Sequence, residues 1–204
     1  MEDRQPLTDA MAFDGALPGR WEAMQHRILD AAELLIAQRG VRGLAIAELA
    51  RTAEVSRPTV YRSWASADEV VRTTLLRRML RLLDGIPVAA DRPALVTAVH
   101  DFTRAFQADP LYAALLKREP EIFTRYTLHR FGASQRAILR WLSASVAAGQ
   151  TGGSVRTGDP AHIAVMLLIM TQSAILSHGT VSDLISDDAW EHELHAAVDG
   201  MLRP

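Results

Sequence analysis

Apolar residues recur three and four positions apart along most of the chain, and runs alternating at every second residue are nearly absent. That spacing is the signature of helices that bury one face, so an all-α fold is expected. The first helix is predicted over 21–39, with Met24, Ile28, Ala31, Ala32 and Leu35 inward and Gly40 placed to end it. A second, over 45–53, turns Ile46, Leu49 and Ala50 inward. Ser56 can cap a short third helix, and Pro58 falls in its first turn, where no intrahelical donor is lost. Ser66 and Glu69 have the spacing of a capping box and open a longer fourth helix, which Gly85 and Pro87 stop.

Three further starts follow, at Asp91 with Pro93, Asp109 with Pro110, and Glu119 with Pro120. The helix from Glu119 is expected to reach about Ala148 with a bend near Gly132. The stretch GQTGGSVRTG, residues 149–158, is turn chemistry throughout and reads as a linker. It lacks the preceding strand and the Gly-Lys-Ser/Thr ending of a phosphate-binding loop. Asp159-Pro160 opens an eighth helix, and Asp188 with Glu191 caps a ninth that ends near Leu202.

The third helix, within VSRPTVYRSW, has an unusual distribution of side chains. Only Val60 and Trp64 make an obvious inward pair, which leaves Arg57, Thr59, Tyr61, Arg62 and Ser63 facing outward. Three short helices with a tight turn between the second and third have the outline of a helix-turn-helix, whose last element lies in the major groove of DNA. Arg57 and Arg62 can bond phosphates or guanine edges. Thr59 can meet a phosphate or a thymine methyl, and Tyr61 can do either with its hydroxyl or its ring.

Charge agrees with that placement. The net charge of -2 conceals an uneven spread: residues 1–19 carry 1 basic and 4 acidic side chains, residues 20–84 carry 11 and 8, and residues 85–204 carry 10 and 12. Only the middle block is positive.

Residues 41–70, VRGLAIAELARTAEVSRPTVYRSWASADEV, resemble the DNA-binding domain of TetR-family transcriptional regulators. Leu49-Ala50, Val55-Ser56, Thr59-Val60-Tyr61 and Trp64 follow that family's pattern in order and spacing. The resemblance implies a nine-helix architecture, with an N-terminal helix-turn-helix domain and a C-terminal domain for effector binding and dimerisation. The expected division is a loose arm over 1–19, a DNA-binding domain over 20–66 and an effector and dimerisation domain over 67–204. The expected function is sequence-specific regulation of transcription, as a repressor released from a palindromic operator by a small-molecule effector. An activator, an effector-independent regulator or a helical ligand-binding protein without DNA function are the alternatives.

The partners implied are a double-stranded DNA operator, a second copy of the chain paired through the eighth and ninth helices, and an unknown effector. The DNA-binding residues are expected to be Ser56, Arg57, Pro58, Thr59, Tyr61, Arg62 and Ser63. The effector region is expected among Phe102, Phe106, Tyr112, Phe123, Tyr126, Trp141, Met166 and Met170, with Arg104, His129, Gln172 or His178 as polar contacts. Three positions depart from the family's pattern: Glu54 stands where the turn usually has Gly, Ala45 where a Thr opens the second helix, and Ala67 where a Lys often meets phosphate. A positive φ at Glu54, or a modified turn, is the consequence.

Other chemistries are weakly supported. The chain has no cysteine, which removes disulfides, thiolate zinc sites and thiol redox sensing and fits a cytoplasmic protein. His192 and His195 share a helix face but have no further ligand in the pattern, so no metal or other cofactor is expected. No Glu-x-x-His spacing occurs for a helical di-iron site, and no strand-borne nucleophile is visible, so no catalytic residues and no enzyme are expected. Residues 1–20 lack the basic start and apolar run of a secretory signal. The uncharged stretch 160–182 is interrupted by His162, Gln172, Ser173 and His178, so burial on most sides is expected there rather than a membrane span.

Overall fold

A computed structural model of the chain describes residues 21–123 and 131–204. The described residues are helix and loop, with no strand among them. The helices are α1 (Ala23–Arg39), α2 (Ile46–Thr52), α3 (Arg57–Ser63), α4 (Ala67–Leu83), α5 (Arg92–Ala108), α6 (Pro110–Arg118), α7 (Ala133–Thr151), α8 (Pro160–Val181) and α9 (Asp187–Leu202). Residues 120–123 are also helical. The proposed N-terminal arm, Tyr126 and His129 lie outside the described residues. The chain forms two compact units; within the described residues one comprises 21–82, 108–123 and 131–134, the other 83–107 and 135–204.

The first unit is built around α1, which buries Ile28, Leu29, Ala31, Ala32, Leu35 and Ile36. Met24, expected inward, is 36% exposed. Leu49, Ala50, Val60, Trp64, Val70 and Val71 complete the same core together with Leu111 and Leu115 of α6. Residues 108–123 therefore belong with the short helices. Glu119 accepts the backbone N–H of Val41 at 2.6 Å and of Arg42 at 3.3 Å, and Arg118 donates to the carbonyls of Ala37 and Gln38 at 3.0 and 2.7 Å. A cation on the last carbonyls of α1 and an anion on the amides just beyond satisfy groups that the helix end leaves open.

Ion pairs fasten α4 to α1. Arg77 is 2% exposed, and its Nη2 reaches Asp30 at 2.7 Å and Glu33 at 2.6 Å. Its Nη1 donates to the His26 carbonyl at 3.1 Å. A buried guanidinium is tolerated only when paired this fully, since each desolvated ion costs several kcal/mol. Next to it, Arg78 donates to Asp109 at 2.6 Å, while Asp109 caps α6 by accepting the N–H groups of Leu111 and Tyr112. Burial and the Asp109 carboxylate push the Tyr112 phenol above its ordinary range. It stays protonated and donates to the Leu75 carbonyl at 2.8 Å.

The long helix expected from Glu119 is divided: Phe131 and Gly132 are not helical, and α7 starts afresh at Ala133. Glycine is a weak helix former, so the bend becomes a break.

In the second unit, Leu95, Val96, Val99, Leu139, Leu142, Val146 and Leu167 pack with Trp190, Leu194, Val198 and Leu202 of α9. The stretch read as a linker is more structured than that. Its first residues belong to α7, Val155 is buried over Gly149, and Arg156 donates its N–H to the Leu202 carbonyl at 2.9 Å and its Nε to Met201 at 2.8 Å. It fastens the end of α9. That helix begins two residues earlier than expected, because Ser186 takes the capping position expected of Asp188 and accepts the free Ala189 N–H.

Among the described residues, α8 is the one helix long and apolar enough to cross a membrane by length and composition, and 33% of its apolar window is buried. Burial is confined to one side, on Ile163, Ala164, Leu167, Leu168, Thr171 and Ile175. His162, Met166, Ile169, Ser173 and Ser177 form the opposite, exposed side. Within one chain α8 is half-covered rather than buried on most sides.

Candidate nucleic-acid interface

The turn before α3 is set by the end of α2. Val55 N–H reaches back to the Ala50 carbonyl at 2.9 Å and Glu54 N–H to Arg51 at 3.2 Å, the paired bonds of a Schellman ending. Such an ending needs one residue in the left-handed region, and that residue is Glu54 with φ 53. Arg27 of α1 donates Nη2 to the carbonyls of Ala53 at 2.8 Å and Glu54 at 3.2 Å. At Ala45 no side chain caps α2, as the missing Thr implied.

Ser56 caps α3 by accepting the Thr59 N–H at 3.2 Å, and its hydroxyl lies 2.8 Å from that of Thr59. One of these hydroxyls donates to the other, so one proton of the pair is left for an outside acceptor. Val60 is fully buried and Trp64 is 4% exposed, so they hold α3 against the core. The Trp64 indole N–H donates to Thr73 at 3.1 Å, which ties the end of α3 to α4. Ser66 and Glu69 then open α4: Ser66 accepts the Glu69 N–H at 3.2 Å, and the Glu69 carboxylate reaches the N–H of Ala65 at 2.8 Å.

With Val60 and Trp64 inward, the rest of α3 faces solvent. Arg57, Pro58, Tyr61 and Arg62 are exposed, Tyr61 at 53%, while Thr59 and Ser63 are half-buried. Ser63 accepts a bond from the Gln25 amide at 3.3 Å, which leaves its own proton to donate. Neither Arg57 nor Arg62 has an ionic partner among the described residues, whereas Arg39, Arg42, Arg51 and Arg72 are each paired with a carboxylate. Two uncompensated guanidinium groups flanking a phenol suit a polyanion.

Comparison with known proteins agrees. The family model for bacterial regulatory proteins of the tetR family matches residues 28–73, which span α1 to the first half of α4. An uncharacterised HTH-type transcriptional regulator of Mycobacterium bovis is 34% identical over 177 residues, covering 86% of this chain and 93% of its own. The chain belongs to the TetR family. Solved structures of transcriptional regulators resemble it over nearly their full length. A TetR transcription regulator from Haloarcula marismortui covers 90% of this chain and 100% of its own with a TM-score of 0.67 at 19% identity. A transcriptional regulator from Saccharomonospora viridis in complex with choline covers 88% and 97% with a TM-score of 0.61 at 21% identity. At those identities the likeness is one of fold.

The residues expected around the TetR effector are distributed between the two units. Tyr112 and Phe123 pack together in the first, their rings 6.3 Å apart. Phe102, Phe106, Trp141, Met166 and Met170 belong to the second, where Phe102 and Trp141 lie 6.5 Å apart and the Trp141 indole donates to the Pro87 carbonyl at 3.1 Å. Met166 is 53% exposed on the outer side of α8. Among the polar candidates, Gln172 accepts from Gln135 at 3.1 Å, His178 lies 3.2 Å from Gln107 and 3.1 Å from Asp187, and Arg104 lies 3.6 Å from Glu191. No cluster able to hold a metal occurs among the described residues. Arg27 and Gln25 escaped the sequence because their partners lie 26 and 38 positions away, beyond any local pattern.

Proposed function

We propose that this TetR regulator is a homodimeric repressor that lays α3 in the major groove of each half of a palindromic operator and is released by a small apolar or aromatic effector. The observation that carries the reading is the division of α3 into a buried Val60–Trp64 side and an exposed Arg57–Tyr61–Arg62 side whose two arginines have no ion-pair partner among the described residues. In this reading the arginines supply phosphate contacts or guanine contacts, and Tyr61, Thr59 and Ser63 add hydroxyl bonds. A seven-residue helix reaches few base pairs, so two copies separated by about 34–36 Å are needed for useful selectivity.

The exposed side of α8 supports pairing. Met166 and Ile169 are 53% and 51% exposed on a helix that is otherwise apolar, and a soluble chain gains by covering them with a second copy. Effector contacts are assigned to Phe102, Phe106, Trp141 and Met170 of the second unit. The ligand must favour a form unable to bind DNA, since equal affinity for both forms shifts nothing.

The test is binding to a duplex selected by the wild-type protein from a random-sequence pool. Arg57→Ala and Tyr61→Phe should each weaken binding with unchanged melting temperature, and affinity should fall steeply with added salt. Wild-type affinity in both variants would remove α3 from the interface.

A further inference from the structure

In this protein the residue that must be left-handed at the entry to α3 is a glutamate, Glu54 at φ 53. An L-residue pays a steric penalty there that glycine does not, and extended alternatives compete. The alternative conformers would break the Val55 N–H bond to Ala50 and swing the chain that leads into Ser56 and Arg57. Something must therefore favour the left-handed form. The Arg27 guanidinium is in position to do so: a single Nη2 donates to the carbonyls on both sides of the turn, Ala53 at 2.8 Å and Glu54 at 3.2 Å. The Glu54 carbonyl points at Arg27 only while its peptide keeps this orientation. Arg27 has no carboxylate partner among the described residues, and its Nη2 is committed to these two carbonyls. Two residues before Arg27 along α1, Gln25 accepts the Glu22 N–H at 3.0 Å and its amide donates to Ser63, at the far end of α3, at 3.3 Å.

We propose that Arg27 is a positioning residue for DNA recognition, which holds Glu54 in the left-handed turn and so fixes the direction in which α3 leaves it. The proposal rests on the reading that α3 faces DNA. It assigns to a cation on α1 the task that a glycine in the turn would perform by conformational freedom alone. Arg27 need not touch the duplex, and Glu54 is tolerated in the turn because Arg27 is present.

The experiment is a mutant cycle read by fluorescence anisotropy on the duplex selected from a random-sequence pool, with melting temperatures recorded for every variant. Arg27→Ala should weaken binding roughly two- to tenfold, the scale of losing one or two partly exposed hydrogen bonds. Arg27→Lys, which keeps the charge but offers a less directed donor, should fall between it and the wild type. Introducing Arg27→Ala into Glu54→Gly should cost less than about twofold, because glycine adopts the turn unaided. Introducing it into Glu54→Gln, which removes the charge but not the strain, should cost as much as in the wild type. The dependence of log affinity on log salt should keep its slope in Arg27→Ala.

An equal loss in the Glu54→Gly and Glu54→Gln backgrounds overturns the proposal, as does a salt slope reduced by about one counterion, the mark of a lost phosphate contact. A lower melting temperature with wild-type affinity at a temperature where the variant is folded also overturns it. Arg57→Ala separates the two levels. If it binds like the wild type, the interface reading itself fails; if it weakens binding while Arg27→Ala does not, only the positioning role falls.

Discussion

The carboxylate of Glu119 occupies the space that a side chain on Gly40 would need. A Cβ at Gly40 would lie 2.7 Å from the carboxyl carbon and from one of its oxygens, and Gly40 itself has φ 80 and ψ 176, a region that only glycine enters freely. The close approach is what lets Glu119 reach the Val41 N–H at 2.6 Å. The end of α1 is thus closed by a residue far along the chain.

Gly40→Ala is therefore expected to destabilise the first unit by about 1–3 kcal/mol from the backbone conformation alone, with the clash adding to it. A urea titration followed by tryptophan fluorescence measures this directly, since Trp21 and Trp64 both contribute to that core. A midpoint equal to that of the wild type would show that the Glu119 contact gives way freely.

Arg77→Ala should be costlier than any exposed arginine substitution. Its removal leaves Glu33, 16% exposed, with only Arg78 and Arg81 nearby, and the His26 carbonyl without its donor. Breaking a buried pair costs roughly 3–5 kcal/mol, and the 61% exposure of Asp30 places this case toward the lower figure. Arg51→Ala, whose partner lies 3.5 Å away on the surface, should cost under about 1 kcal/mol in the same titration.

Ile169→Asp tests the pairing surface of α8. A carboxylate at a position 51% exposed should leave the monomer folded but shift it out of any dimer. Sedimentation is expected to report 22.4 kDa for the variant and twice that for the wild type, with weaker DNA binding in parallel. A wild-type dimer that survives the substitution would place the contact elsewhere.

The Asp199 carboxyl is held below the usual carboxylate value of 3.8, first by the hydrogen bond from Arg203 and then, against the opposing effect of desolvation, by the charges of Arg92 and Arg203 and the hydrogen bond from Arg92. A depressed pKa means that the folded form binds its proton less readily than the unfolded one. Whatever stability this adds is present above pH 3.8 and is lost as pH falls through the lower, folded value. Arg203→Ala should move the titration of the Asp199 side-chain carbon, followed by NMR, back toward 3.8. An unmoved titration would mean that Arg92 alone sets it.

Local features of the fold were legible because their causes lie within one helical turn. Ser56, Asp109 and Asp159 all cap the helices that follow them, and each bonds an N–H two or three residues away. The left-handed Glu54 followed from one residue standing where glycine is usual. The expectation failed where the deciding partner is remote or where two local signals compete. Ser186 and Asp188 both suit a cap, and sequence does not rank them. Nothing near Val155 announces that it will seat on Gly149, or near Arg77 that Asp30 and Glu33, 47 and 44 positions away, will enclose it. In the candidate interface, the outward set on α3 was legible from the inward pair Val60 and Trp64, while the supports from Gln25 and Arg27 were not.

The clasp made by Arg118 and Glu119 on the end of α1 also constrains how the protein is made. Its two halves are separated in the chain by α2, α3, α4 and α5. At ordinary rates of translation the interval between emergence of Gly40 and of Glu119 is on the order of seconds. During that interval the newly made α1 to α4 carry an uncovered apolar surface where Leu111 and Leu115 will later sit. A nascent chain stalled before α6 should accordingly expose this patch to chaperones, whereas in one extended past Glu119 the patch should be covered while the apolar side of α5 still awaits α7, α8 and α9.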